Sequence, residues 1–533
     1  MEHHEVVIIG AGLSGIFQLY RLREAGFDVA VVEGSDGVGG TWFKNRYPGA
    51  RFDSESYTYG YSFSKELLQE WSWSEHFAPQ PETLRYLNHV VEKFDLARHI
   101  QCGTRVDSAV FDEDARTWTV TLADGRELSC RYLITAIGIL STPTMPRLEG
   151  IDSFKGVSFH TYNWPAEPLD LAGKRVAVIG TGATGVQLIG EIADKVAELY
   201  VFQRRPNWCA PLHNSKITDE DQARIKATYD EIFELCRQTP GGFIHNPDRR
   251  KMFDVPADER LAFFEELYES SGFRIWQGNF RDILMEEEAN DEFSAFVAGK
   301  IRSRINDPEL AEKLIPKDHG FGSRRVPMET FYYEAFNRDN VHLVDINETP
   351  LERITETGIR TSTTTYDVDI IVYATGFDAV TGAFDHIDFI GVNGQKLREK
   401  WNDGPVTYLG VQSAGFPNLL MLAGPQAGSG FTNFGRGIEE AGDWTTELLV
   451  YLRDHGHTLI DTTTEAEQGW GEHVKEMYDL LLLGKAKSWF TGFNSNVEGH
   501  DKPRYVVYNG GAPRYRKHLA SVVEKGYEGF QLA

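Results

Sequence analysis

The stretch EVVIIGAGLSGIFQLYRLREAGFDVAVVEG, residues 5–34, reads as an apolar strand, a glycine turn, an amphipathic helix and a second apolar strand. Gly10, Gly12 and Gly15 stand in the G-x-G-x-x-G spacing, with Leu13 and Ser14 between the last two. Each glycine has a physical task. Gly10 allows the tight turn, Gly12 lets a pyrophosphate approach the backbone, and Gly15 lets the helix pack close to the strand, while the helix N-terminus faces the phosphates. Glu33 ends the second strand, where a carboxylate accepts both ribose hydroxyls and repels a 2′-phosphate. The unit therefore suits the adenosine of FAD or NAD.

The pattern recurs in KRVAVIGTGATGVQLIGEIADKVAELYVFQRRP, residues 174–206. Gly180, Gly182 and Gly185 repeat the spacing, with Thr181, Ala183, Thr184 and Val186 completing the turn. Its second strand ends in Gln203, Arg204 and Arg205 in place of an acid. A guanidinium pair is what a 2′-phosphate requires, so NADPH is expected over NADH at this site. One chain carrying two such units, the first acid-ended and the second arginine-ended, points to a flavoprotein that takes hydride from NADPH. The expected fold class is α/β, with two Rossmann-like dinucleotide-binding domains, for FAD and for NADP.

Between Pro211 and about Lys317 the composition turns charged and aromatic, with helical runs at 219–238 and 257–271, and is read as a helical insertion in the second unit. The apolar runs DIIVYATGFD (369–378) and NLLMLAGPQ (418–426) read as strands returning to the first sheet, which makes the first domain discontinuous. The expected division is FAD domain 1–140, NADP domain 141–213, helical insertion 214–328, NADP domain 329–376, and FAD domain with C-terminal region 377–533. With 54 Lys plus Arg against 79 Asp plus Glu, the net charge of −25 argues against a nucleic-acid or anionic-membrane partner. Cys102, Cys130, Cys209 and Cys236 show no metal or disulfide spacing, so no metal site is expected and a reducing, cytoplasmic setting is. The N-terminal run lacks a basic n-region and breaks at glycines, and is read as neither a signal peptide nor a membrane span.

FKGVSFHTYNWP, residues 154–165, lies between the two units and shows neither strict alternation nor a 3.6 period, so it reads as a connection of specific shape. Phe154, Gly156, His160, Trp164 and Pro165 fit the pattern F-x-G-x-x-x-H-x-x-x-W-[P/D], which resembles the fingerprint of the single-chain, FAD-containing Baeyer–Villiger monooxygenases. The resemblance extends along nearly the whole chain. It implies an NADPH-dependent enzyme that inserts one atom of O₂ beside a ketone carbonyl, giving an ester or lactone through a C4a-peroxyflavin and a tetrahedral adduct. An N- or S-oxygenating flavin monooxygenase is the alternative.

The resemblance also implies roles for individual residues. In GFGSRRVP (320–327), Arg325 matches the catalytic arginine and Arg324 a partner of the 2′-phosphate. In GGTWFKNRYPGARFDSESYTY (39–59), Asp53 matches the acid that orients that arginine, and Gly40, Thr41, Trp42, Arg51 and Tyr59 belong to the flavin segment. Val106 and Phe434 match flavin-lining positions and Trp489 a nucleotide-contacting one, while His160 is implied in domain movement with no direct chemistry. The implied partners are a small ketone and O₂, with no nucleic acid or membrane, in a monomer or weak homo-oligomer. The irregular loop AGPQAGSGFTNF (423–434) yields no substrate-pocket assignment.

Overall fold

The structure is a computed structural model that describes residues 2–428 and 432–533. Among the described residues, eight strands form one sheet and five form another. In the first sheet Glu2–Ile9 pairs in parallel with Val29–Val32 on one side and Glu127–Thr135 on the other. Ile100–Gln101 extends one edge, the antiparallel strands Val106–Asp112 and Thr117–Leu122 extend the other, and Leu419–Met421 adds beside Glu127–Thr135. The second sheet is wholly parallel, in the order Val341–Asp345, Glu198–Gln203, Arg175–Ile179, Ile370–Tyr373, Val157–His160. Both sheets carry an apolar cluster on each face, which is why their central strands are continuous hydrophobic runs.

The two runs read as returning to the first sheet separate here. Leu419–Met421 joins it, but Ile370–Tyr373, within the run 369–378, belongs to the second sheet between Arg175–Ile179 and Val157–His160. A strand buried on both faces has the same composition in either sheet, so the pattern could not choose between them. The stretch 154–165 also differs from expectation. Val157–His160 is a parallel edge strand, and a 3₁₀ turn, Thr161–Asn163, follows it. An edge strand covered on one side has no clean alternation to read. A Cβ at Gly156 would collide with the Asp369 carbonyl oxygen, so only glycine lets the chain enter this pairing.

The helices between 214 and 328 leave and rejoin the second unit where Ala210 and Pro211 pair with Met328 and Glu329. Residues 429–431 of the loop 423–434 lie outside the described residues. No helix of the described residues is long and apolar enough to cross a membrane, and no group of three or more His, Cys, Asp or Glu among them could hold a metal ion.

His160 is 3 % exposed, with Nε2 donating to the Gly376 carbonyl at 3.0 Å and Nδ1 accepting from the Tyr162 N–H at 3.1 Å. Burial lowers its pKa from 6.5 to about 4, so the ring is neutral in the folded chain. Because the folded value lies below the unfolded one, this histidine contributes stability that is complete above pH 6.5 and lost as pH falls toward 4. In His160→Gln that contribution is absent. Urea unfolding should therefore show the gap between parent and variant narrowing by about 1.4 kcal/mol from pH 7.5 to 5.5, and a constant gap would contradict the neutral assignment.

Candidate active site

The first glycine turn opens onto a cavity of about 800 Å³, within the size range of small-molecule and cofactor sites. The structure brings Gly10, Gly12, Leu13, Ser14, Glu33, Gly40, Thr41, Trp42, Arg51, Asp53, Tyr59, Val106, Arg325 and Phe434 to its walls. Gly15 stays out of it, because a Cβ there would collide with the Gly10 carbonyl; its task is packing. At Gly12 an added Cβ would meet only ordinary contact, the Gly40 Cα at 3.5 Å, so the protein's own packing does not demand glycine there. The helix Leu13–Glu24 begins at Gly12 with no side-chain cap, leaving its first N–H groups to a ligand. The Glu33 carboxylate accepts from the N–H of Ala11 at 2.8 Å and of Ser35 at 2.6 Å, which aims it while leaving lone pairs free. These are the features a dinucleotide needs from its host.

The cavity lining also includes an aromatic group and an ion pair whose carboxylate is buried. Phe52 and Tyr59 stack at 4.4 Å, Trp42 meets both edge-on, and the Trp42 indole N–H donates to the Tyr59 hydroxyl at 3.0 Å. Arg325 Nη1 lies 2.7 Å from Asp53 Oδ2, whose side chain is only 2 % exposed. The guanidinium also rests over the Phe273 ring at 4.9 Å. Burial pushes the Asp53 carboxyl up, against the pull of Arg325, the Met328 N–H and Arg51.

The second turn repeats the steric logic, since Cβ atoms at Gly180 and Gly185 would collide with the carbonyls of Ala374 and Gly180, while nothing lies within 4 Å at Gly182. The helix Ala183–Ile192 again begins without a side-chain cap. Thr181 Oγ1 donates to the Arg205 carbonyl at 2.9 Å, tying the turn to the arginine strand end. Arg324 bonds Asp318 at 3.1 Å and Arg205 lies 3.8 Å from the same carboxylate. His319 and Arg324 hold the Asp318 carboxyl well below the usual range. Arg204 donates to Ser495 at 2.8 Å. Two guanidiniums about one carboxylate, with Arg204 next to Arg205 in the chain, make this a cationic patch suited to a phosphate. Ala183 and Val186 belong to the uncapped helix, and the Thr184 side chain bonds Tyr47. Trp489 does not line the first cavity; its ring lies 4.3 Å from that of Phe490 and packs against the cluster of Ala379, Val380, Val506 and Val507, as do Ile139 and Leu140 of the cavity wall.

Sequence reasoning passed over several residues. Tyr162 and Asn163 line the cavity together with Lys44, whose Nζ lies 5.8 Å from the Tyr162 ring centroid. Gln187 joins the two units: the Tyr47 hydroxyl donates to its Oε1 at 2.8 Å, and its Nε2 donates to the Arg51 carbonyl at 3.0 Å. A lone amide between the buried Val186 and Leu188 was the available signal.

With this geometry in place, the comparisons are specific. The profile described as FMO-like, flavin-binding monooxygenase-like, matches residues 3–220. The 2-oxo-Δ³-4,5,5-trimethylcyclopentenylacetyl-CoA monooxygenase of Pseudomonas putida is 47 % identical, over 99 % of this chain and 98 % of its own. A Baeyer–Villiger monooxygenase of Pseudooceanicola batsensis is 38 % identical, over 98 % of this chain and 95 % of its own. The chain belongs to the Baeyer–Villiger monooxygenases. A crystal structure of OTEMO with FAD and NADP superimposes on this Baeyer–Villiger monooxygenase with a TM-score of 0.96, at 47 % identity and 99 % coverage of both chains.

The two glycine roles are separable by experiment. Gly15→Ala should destabilise the apo-protein by about 1 to 3 kcal/mol through its collision with Gly10, whereas Gly12→Ala should leave apo stability within about 0.5 kcal/mol. Gly12→Ala should nevertheless weaken FAD binding by about tenfold or more in a titration of the apo-protein. Equal effects of the two substitutions on stability would refute the division.

Proposed function

We propose that this chain uses NADPH and O₂ to insert one oxygen atom beside a ketone carbonyl, releasing an ester or lactone, with FAD at the first glycine turn and NADPH at the second. The observation that carries this reading is the Asp53–Arg325 pair, which lines the same cavity as that turn. Bound flavin, once reduced by NADPH, supplies the activated oxygen derived from O₂. The chain's own residues do the rest. A guanidinium is a permanent cation, and that of Arg325 beside the ketone stabilises the negative charge that develops on its oxygen. Asp53, buried and ion-paired, fixes the direction of that guanidinium. Trp42, Phe52, Tyr59 and Phe273 exclude water from the wall, which strengthens the arginine's effect.

On this reading Arg204, Arg205 and Arg324 take the 2′-phosphate, and Trp489 shields the nucleotide. The first sheet with residues 1–140 and 377–533 forms the FAD domain, and 141–213 with 329–376 the NADP domain carrying the insertion 214–328. The enzyme is cytoplasmic and works as a monomer or weak homo-oligomer; four cysteines without disulfide spacing support the first part of that reading.

Two experiments test the assignments. Replacing both Arg204 and Arg205 by Ala removes charge-assisted bonds of about 1.5 to 3 kcal/mol each, so the NADPH over NADH preference in kcat/KM should fall by about tenfold or more. An unchanged preference places the 2′-phosphate elsewhere. Arg325→Ala should retain FAD and measurable NADPH oxidation while ester formation falls about 10²- to 10³-fold, with H₂O₂ released instead. Asp53→Ala should show a milder form of the same uncoupling, because it acts through Arg325. Parental coupling in Arg325→Ala, measured by gas chromatography against NADPH consumed, would remove the catalytic role from this residue.

A further inference from the structure

A second cavity, of about 650 Å³, lies behind the wall of the first, between the helices Tyr229–Gln238, Phe434–His455 and Ala512–Glu524. The two cavities share a lining residue. Thr432 lines both cavities; Asn433 and Phe434 face the first, while Arg436 and Gly437 face the second. Phe243 lines the first cavity and its neighbour Gly242 the second. The side walls of the second cavity carry Phe233, Ala441, Trp444, Tyr515, Leu519 and Val523, an apolar surface that a hydrocarbon would cover favourably. Two polar atoms of residues that line it, the Thr432 hydroxyl and the Trp444 indole N–H, are buried with no hydrogen-bond partner among the described residues.

The charge pattern narrows the occupant. Arg436 pairs with Glu439 at 2.6 Å, Arg516 with Glu440 at 2.7 Å, Arg237 with Glu234 at 3.3 Å, and Asp443 with Arg21 at 2.6 Å. Glu447 and Glu524, both exposed at this cavity, have no ion pair among the described residues. The arginines are thus already neutralised and the unpaired charge is negative, which repels a carboxylate- or phosphate-bearing tail.

We infer that the second cavity is an extension of the ketone site that takes the uncharged hydrocarbon body of a substituted ketone, entering past Thr432 while its carbonyl stays at Arg325. The inference rests on the proposed ketone oxidation and names its substrate class: extended, neutral, largely hydrocarbon ketones, which gain over small ring ketones by filling a chamber remote from the reacting atoms.

Ala441→Phe and Ala520→Trp, the latter on the exposed face of its helix, would each fill part of the chamber without touching the reaction cavity. With 2-heptylcyclopentanone as probe, both variants should lose about tenfold or more in kcat/KM, while cyclopentanone should stay within about twofold of the parent. If Ala441→Phe does not fold, Ala520→Trp decides alone. Equal treatment of the two ketones by the variants overturns the chamber. In the parent, 7-(2-oxocyclopentyl)heptanoate should be about tenfold or more poorer than 2-heptylcyclopentanone, and a preference for the carboxylate overturns the neutral-tail assignment. Binding of 2-heptylcyclopentanone, read from the flavin absorbance of the holoenzyme, should weaken by about tenfold in both variants. That readout survives if no lactone forms from any ketone: absent lactone then counts against the proposed reaction, and unchanged binding against the chamber.

Discussion

The ion pair between Asp53 and Arg325 is the contact on which the arrangement of the cavity turns. A carboxylate buried this fully would raise its pKa and become neutral unless a cation met it, and breaking a buried pair by removing one partner is costly. The pair therefore demands that the segment after the first unit's second strand and the end of the helical insertion meet at one place. The surrounding contacts meet that demand. Arg51 is bound to Glu75 at 3.0 Å and its carbonyl to Gln187, and Tyr47 closes on the same Gln187. Gln187 stands on the helix that follows the second glycine turn, so one amide couples the segment 47–51 of the first unit to that helix.

The same demand ties chemistry to architecture. Arg325 is useful at the cavity wall only if its charge is kept there and pointed, and Asp53 does both from behind. The aromatic group of Trp42, Phe52 and Tyr59 lines the same cavity as the guanidinium. Electrostatic stabilisation is strongest in that kind of setting, with fixed charges and little solvent to reorganise. The 3₁₀ turn Thr161–Asn163, at the end of the second sheet's edge strand, places Tyr162 in the first cavity, so the connection between the sheets also forms part of a ligand wall.

Much of this was legible because it is local. A G-x-G-x-x-G turn is decided within a few residues by the space a Cβ would occupy, and the side chain ending the next strand follows from strand length. Glu33 and the Arg204–Arg205 pair were readable for that reason. The role of Gly15 in packing and of Gly12 in leaving room follow from the same short-range sterics. Trp489 was reached only through resemblance, since nothing near it in sequence points to a cofactor.

Sequence alone determined the number of glycine-turn units, the charge of the side chains at each second-strand end, and the family whose fingerprint lies at 154–165. Tertiary structure decided which sheet received Ile370–Tyr373, that Val157–His160 is an edge strand, and that Gln187, Lys44 and Tyr162 belong to the site. It also decided that Asp53 and Arg325 meet, and that a second cavity backs onto the first across Thr432. The physical reason is range. Periodicity and glycine spacing record how a residue sits on its own element, whereas sheet membership, ion pairing and cavity walls depend on elements distant in the chain, whose approach is set by the packing of the whole core.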